Sequence, residues 1–287
     1  MALIELKDVS VTKKQTKILD MSASSISIEA GDKIGIIGAN GAGKTTLIKV
    51  ILNLIEYEGD VHRNIQAQDV GVQMQNNEFS DLMKVKEIIS LVCNCSIRDQ
   101  RIQDDLSRFQ LHPLLNKKLS HLSGGEKQRL TIFLVMFNDP KLLIFDEITS
   151  GLDFESREAM IQFIQTVTNH KTLLIVSHYF TEIEKLANKI LMLHKGQILA
   201  YGRIDDLFSE YQIYSSISID KEAPFPPSDL RYVKTTDKKV LITKNKEEEE
   251  RLVELLRKQM ISFAYKPKDI ETLYTFIRDH QPKGDVS

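Results

Sequence analysis

Nine consecutive residues, GANGAGKTT (38–46), bring Gly38, Gly41, Gly43, Lys44 and Thr45 into one short segment. Glycines at these spacings let successive backbone N–H groups turn toward a single centre, which makes a nest for an anion. Lys44 adds a full positive charge and the Thr45 hydroxyl can ligate a hard divalent cation. The chemistry implied is the cradling of a triphosphate, with Lys44 over the β- and γ-phosphates, Mg²⁺ beside Thr45, and Asn40, Ala42 and Thr46 completing the cradle. Such spacing arises by chance in roughly 1% of chains this long, so an ordinary glycine turn competes poorly.

Three further groups of residues carry chemistry. LSGGEKQRL (122–130) sets Ser123, Gly124 and Gly125 at the opening of a helix, where free N–H groups again receive an anion. Ser123 and Glu126 also have capping-box spacing, but a cap alone does not require two glycines. KLLIFDE (141–147) is an apolar run ending in Asp146 and Glu147. As neighbours on a strand they point to opposite faces, so one suits a Mg²⁺ shell and the other the orientation and deprotonation of a water. In isolation such a pair reads as a solvated strand end, and the phosphate loop on the same chain tips the balance. A third apolar run, KTLLIVSH (171–178), ends in His178, beside the Asp146 strand at the sheet edge where ligands sit.

These side chains need a frame. The run ending IGII (34–37) followed by a helical pattern over 47–55 predicts strand, loop and helix around the phosphate site. Residues 2–11 and 18–28 read as two antiparallel strands before it. DVGVQMQ (69–75) reads as a strand leaving a glutamine at its end, and 79–83 as a loop carrying Phe79, Leu82 and Met83. Two helical patterns occupy 85–109, a helix runs from the two glycines to about 137, TSGLD (149–153) forms a turn, and 154–167 is a helix. Helix 182–187 and strands 190–193 and 197–201 complete this unit near residue 212. The remainder, with PFPP at 224–227, reads as a small α+β unit whose 247–250 acidic run favours a helix start.

The 287 residues, 42% hydrophobic and 27% charged, suit one large or two modest domains, and a net charge of -2 gives no case for a nucleic acid partner. The longest apolar run, IFLVMF (132–137), falls far short of the roughly 20 residues that span a bilayer. MALIELK lacks the features of a signal peptide. Two cysteines, Cys93 and Cys95, fit a reduced cytosolic setting rather than a metal site.

Taken in order, these motifs resemble those of the ATPase subunit of an ATP-binding cassette (ABC) transporter, over about residues 3–207. GANGAGKT resembles the family's Walker A loop, Gln75 its Q-loop glutamine, LSGGEKQ its signature, LLIFDE its Walker B strand with catalytic glutamate, TSGLD its D-loop and His178 its switch histidine. The resemblance implies an α/β fold: a phosphate-loop NTPase core sheet with an N-terminal antiparallel β subdomain, an inserted helical subdomain at about 76–138, and a C-terminal α+β domain over 213–287 after an ATPase domain over 1–212. It implies ATP and Mg²⁺ as ligands and a homodimer or heterodimer of ATPase subunits sandwiching ATP. Lys44 then contacts the β/γ-phosphates, Thr45, Asp146 and Gln75 serve Mg²⁺, and Gln75 also the water. Glu147 is the general base and His178 contacts the γ-phosphate, while Ser123, Gly124, Gly125 and Asp153 act across the dimer. Gln73, ending the same strand, is the runner-up for the Q-loop position.

Integral-membrane transporter subunits are the implied partners, met by the loop bearing Phe79, Leu82 and Met83, which places the chain at the cytoplasmic face of a membrane. Satellite core packing competes for those three residues. Short tails of this type resemble those on ATPase subunits of bacterial exporters, so export is expected. The alternative class, a soluble ABC-type ATPase acting on nucleic acid or ribosomes, usually carries two cassettes or a long coiled coil, and neither is present. Two departures stand out. Thr12 and Lys13 occupy the stretch where the family stacks adenine on an aromatic ring, and Ile148 replaces the proline usual after the catalytic glutamate.

Overall fold

The computed structural model describes residues 2–22, 24–74, 79–223, 230–235 and 237–280. At the N-terminus, β1 (Ala2–Lys13) pairs antiparallel with both β2 (Thr16–Asp20) and β3 (Ser25–Glu29). The single strand expected over 18–28 is therefore two. Asp20 accepts from both the backbone N–H and the hydroxyl of Ser22, an Asx turn that breaks the extended run. Next, β4 (Lys33–Ile37) feeds the glycine loop and α1 (Lys44–Ile51), β5 (Glu58–Arg63) returns antiparallel to β1, and β6 (Val70–Gln73) joins the central sheet. The helical insertion contains α2 (Val85–Cys93), α3 (Gln100–Arg108) and α4 (Gly124–Met136).

The chain then alternates: β7 (Leu142–Asp146), α5 (Phe154–Val167), β8 (Thr172–Val176), α6 (Phe180–Leu186), β9 (Lys189–His194), β10 (Gln197–Arg203) and α7 (Ile204–Glu210). The ten-stranded sheet runs β3-β1-β2-β10-β9-β4-β8-β7-β6, with β5 paired to β1. From β9 to β6 the pairs are parallel, and every residue of β7 and β8 is buried, as expected of strands covered on both faces. Ile34 and Ile36 of β4 belong to one core cluster, with α1 and the antiparallel strands. Ile37 belongs to the other, with α4, α5 and α6. Gly35 is required between them, because a Cβ there would lie 2.3 Å from Ile183 Cγ2 on α6.

The C-terminal residues build β11 (Ser215–Asp220), β12 (Arg231–Lys234), β13 (Lys238–Thr243), α8 (Lys246–Lys258), β14 (Phe263–Pro267) and α9 (Ile270–His280). Their four-stranded sheet, ordered β12-β13-β11-β14, packs with α8 around Ile217, Ile219, Leu241, Leu252 and Leu256. The last helix behaves differently. Ile270, Leu273 and Ile277 of α9 enter the large cluster of the main sheet, and Lys266 pairs with Glu184 of α6 at 3.0 Å. The tail thus has a sheet and a small core of its own, yet gives its final helix to the main core. Among the described residues no helix is long and apolar enough to cross a membrane.

Candidate functional site

Because β4, β8 and β7 are adjacent and parallel, their C-terminal ends share one rim of the sheet. Each ends in a turn that carries chemistry. After β4, Gly38 has φ +156° and passes so close to β9 that a Cβ would sit 2.4 Å from the Leu193 carbonyl oxygen. Gly43, at φ 103°, is the N-cap of α1, so the helix opens at Lys44 rather than at Leu47 as its apolar pattern suggested. The Lys44 ammonium donates to the carbonyls of Gly38 at 2.7 Å and Ala39 at 3.1 Å, which holds it over its own loop. Burial lowers its pKa, while Glu147 and Asp146 act in the opposite direction.

Asp146 closes β7 opposite Val176 of β8 and is 4% exposed. Burial raises its pKa, the neighbouring Glu147 adds to the rise, and Lys44 opposes it. The strand stops there. Glu147 takes φ 55°, a left-handed conformation uncommon for a residue with a side chain, and its N–H donates to Val176 O at 3.0 Å. Asp146 and Glu147 consequently line one cavity instead of pointing to opposite faces, since Glu147 is no longer on the strand. Past β8, His178 Nδ1 lies 3.2 Å from Glu147 Oε1.

The cavity, of about 750 Å³, is lined by the 40–46 loop, Asp146, Glu147 and His178. Asn40, Gly41, Ala42, Gly43, Lys44, Thr45 and Thr46 all reach it. Lys13 and Ile18, on either side of the β1–β2 turn, close its remaining wall. No motif pointed to Ile18, and Lys13 drew notice only as the residue standing where a ring was expected. Among the described residues no cluster of three or more His, Cys, Asp or Glu side chains could hold a metal, and burial pushes the Cys93 thiol up to about 12. The site nevertheless suits Mg²⁺. Asp146 offers a buried carboxylate to which no described group donates a hydrogen bond, and the Thr45 hydroxyl lines the same space. Magnesium is commonly held by one or two such ligands together with substrate phosphates.

The remaining candidates lie elsewhere. Ser123 caps α4, its Oγ accepting from Glu126 N at 3.2 Å while Glu126 Oε2 accepts from Ser123 N at 2.8 Å. A Cβ on Gly124 would lie 2.8 Å from Leu152 Cδ2, the end of a side chain that can turn aside, and a Cβ on Gly125 would meet nothing within 4 Å. Asp153 caps α5, its carboxylate accepting from the backbone and hydroxyl of Ser156, both at 2.9 Å. None of these four lines the cavity. Gln75 lies outside the described residues. Gln73 ends β6 beside Phe145, 5% exposed, with its Nε2 donating to Met74 O at 2.9 Å. In the 79–83 loop, Phe79 and Met83 pack on the large core cluster and Leu82 is 73% exposed.

Comparison with known proteins agrees with this geometry. A family model described as "ABC transporter" matches residues 21–150. The chain is 31% identical over 227 residues to the methionine import ATP-binding protein MetN of Clostridium tetani, covering 72% of this chain and 71% of that one. It is 30% identical over 226 residues to the Nod factor export ATP-binding protein I of Rhizobium etli, covering 73% and 71%. Across curated relatives its share of their length varies, from 24% of one to 93% of another. A solved structure of an ATP binding subunit of an ABC transporter superposes with a TM-score of 0.62 at 25% identity, covering 73% of this chain and 93% of that chain. With a glycine loop, a buried strand-end carboxylate and a glutamate–histidine pair on one rim, and relatives of this kind on both sides, the chain belongs to the ABC transporter family as one of its ATP-hydrolysing, ATP-binding subunits.

Proposed function

We propose that two copies of this chain, or one copy and a related subunit, close around ATP to drive export through separate membrane subunits. The observation that carries the catalytic part is the Glu147–His178 contact of 3.2 Å on the wall of the phosphate-loop cavity. Lys44 and the loop N–H groups receive the β/γ-phosphates, Glu147 accepts the proton of the attacking water, and His178 orients Glu147 and meets the γ-phosphate. Thr45, Asp146 and Gln75 would hold Mg²⁺, which neutralises charge on the phosphate oxygens when bound. The dimer is supported by Gly125, which has no intrachain need to lack a side chain. A phosphate brought to the Ser123–Gly125 helix start by a second copy explains that glycine, and it gives Asp153 a place at the same interface. Attachment to the cytoplasmic face through membrane subunits is supported by Leu82, a large apolar side chain exposed in the 79–83 loop.

Relatives named for import and for export match about equally, so export rests on the resemblance of the short mixed α/β tail, read from the sequence, to tails of bacterial exporter ATPase subunits. The test of the catalytic reading is Glu147→Gln. It is expected to retain ATP binding, to lose ATP turnover by about 100-fold or more, and to accumulate an ATP-bound dimer seen by light scattering. Turnover equal to wild type, or a particle that stays monomeric in ATP, would overturn it.

A further inference from the structure

The turns that carry Glu147 and His178 are joined from behind by a buried carboxylate that none of the motifs includes. Glu182, in the first turn of α6, is 1% exposed. Its Oε1 accepts from the Thr149 hydroxyl, two residues beyond Glu147, and its Oε2 accepts from the Ser177 hydroxyl at 2.7 Å, one residue before His178. Thr149 is 1% and Ser177 3% exposed, so both bonds are shielded from bulk water. Arg157 of α5 completes the arrangement. Its Nε lies 3.6 Å from Glu182 Oε1, its Nη2 donates to Leu152 O at 3.0 Å, and its guanidinium stacks 3.8 Å over the Tyr179 ring, next to His178. A buried carboxylate is costly unless paired and hydrogen-bonded, and here each oxygen serves one of the two turns.

We propose that Glu182 is a positioning residue for hydrolysis: it clamps the 147–149 turn to the 177–178 turn and thereby sets the Glu147–His178 distance. The proposal rests on the reading of Glu147 as general base. The clamp's hydrogen bonds do not include the 38–46 loop, and Ser177 borders Gly38 and Ala39 without bonding them, so its loss acts on turnover and leaves nucleotide affinity alone. Glu182→Gln keeps the size of the side chain but leaves one carbonyl oxygen to serve two hydroxyls. Thr149→Val and Ser177→Ala each remove one tether with little change of shape, and stand in should the Glu182 variant fold poorly.

The experiment measures ATP affinity by calorimetry and the single-turnover rate with excess full-length protein. Each of the three variants is expected to lower the rate by about tenfold with less than about a threefold change in affinity, and Thr149→Ser, which retains the hydroxyl, to recover most of the rate lost in Thr149→Val. In a Glu147→Gln background, Glu182→Gln is expected to have no further effect on the residual rate, because both act through one group. Losses of affinity that track the losses of rate, or rate effects that multiply in that background, would overturn the proposal while leaving the role of Glu147 intact. Full turnover in Glu147→Gln alone would instead remove the catalytic reading, and the clamp's purpose with it.

Discussion

A methyl group added at Gly38 and one added at Gly125 have opposite consequences. At Gly38 it meets the Leu193 carbonyl oxygen at 2.4 Å and Ala42 Cβ at 3.1 Å, and backbone cannot move aside cheaply. Gly38→Ala is expected to cost more than about 1 kcal/mol of stability and to abolish ATP binding, as read by denaturant unfolding and calorimetry. At Gly125 the methyl enters open space on a helix, so Gly125→Ala is expected to stabilise the single chain by up to about 1 kcal/mol. The same variant is expected to weaken the ATP-dependent dimer seen by light scattering. A dimer unimpaired in Gly125→Ala would count against a partner's phosphate at that helix start. Gly43 was readable in the sequence because φ 103° demands its type, and Lys44, Asp146 and His178 because they sit in the glycine loop or end apolar runs. Lys13, Ile18 and Glu182 were not readable, since they reach the site from distant elements through contacts that leave no local spacing.

Among the elements, the 79–83 loop divides its apolar residues between two roles. Met83→Ser is expected to destabilise the chain by about 1–2 kcal/mol, because Met83 packs on the large core cluster. Leu82→Ser is expected to leave the unfolding midpoint unchanged and to reduce co-purification with the membrane subunits, since Leu82 is 73% exposed. Equal attachment in both proteins would remove Leu82 from that interface. A second expectation concerns the junction of β9 and α9. His194 is held below its ordinary value of 6.5 by burial first, then by Lys195 and Arg278, with Asp279 opposing. Below pH 6.5 the unfolded chain takes up a proton that the folded chain resists, so stability rises with pH through that window and falls on acidification. His194→Asn is expected to flatten the dependence in unfolding curves taken between pH 5 and 7, a range set by the ordinary histidine value.

Strands β7 and β8 were readable as apolar runs, and the start of α4 by its Ser123 cap. The β2–β3 break was not, because it depends on one Asp20 side chain bonding Ser22 rather than on periodicity. Nor was α7, too short for its pattern to stand out. The conformation of Glu147 escaped for a similar reason. A period of two assigns faces only while the strand continues, and here it ends one residue earlier.

For the whole molecule, the position of α9 makes the tail part of the ATPase core. Ile270, Leu273 and Ile277 are at most 2% exposed, and Tyr274 packs its ring 5.9 Å from that of Phe180, two residues after His178. Burying such a side chain contributes about 1.5–3 kcal/mol, so cutting the chain after residue 212 uncovers apolar surface equivalent to much of a domain's net stability. The truncated protein is expected to aggregate or to melt at least about 10 °C lower by calorimetry. An unchanged melting temperature would mean that α9 only rests on the core. Composition alone does not say which helix of the tail crosses back to the main sheet.

The shared direction of β4, β7 and β8 has a practical side. Their starting ends, near Asp32, Lys141 and Lys171, form an opposite margin that carries none of the hydrolytic groups. At about 3.3 Å per residue, the five-residue strands keep that margin roughly 17 Å from the reacting atoms. A dye or an affinity handle attached there would report on the working enzyme from a distance, much as a gauge is mounted on the cold side of an engine block.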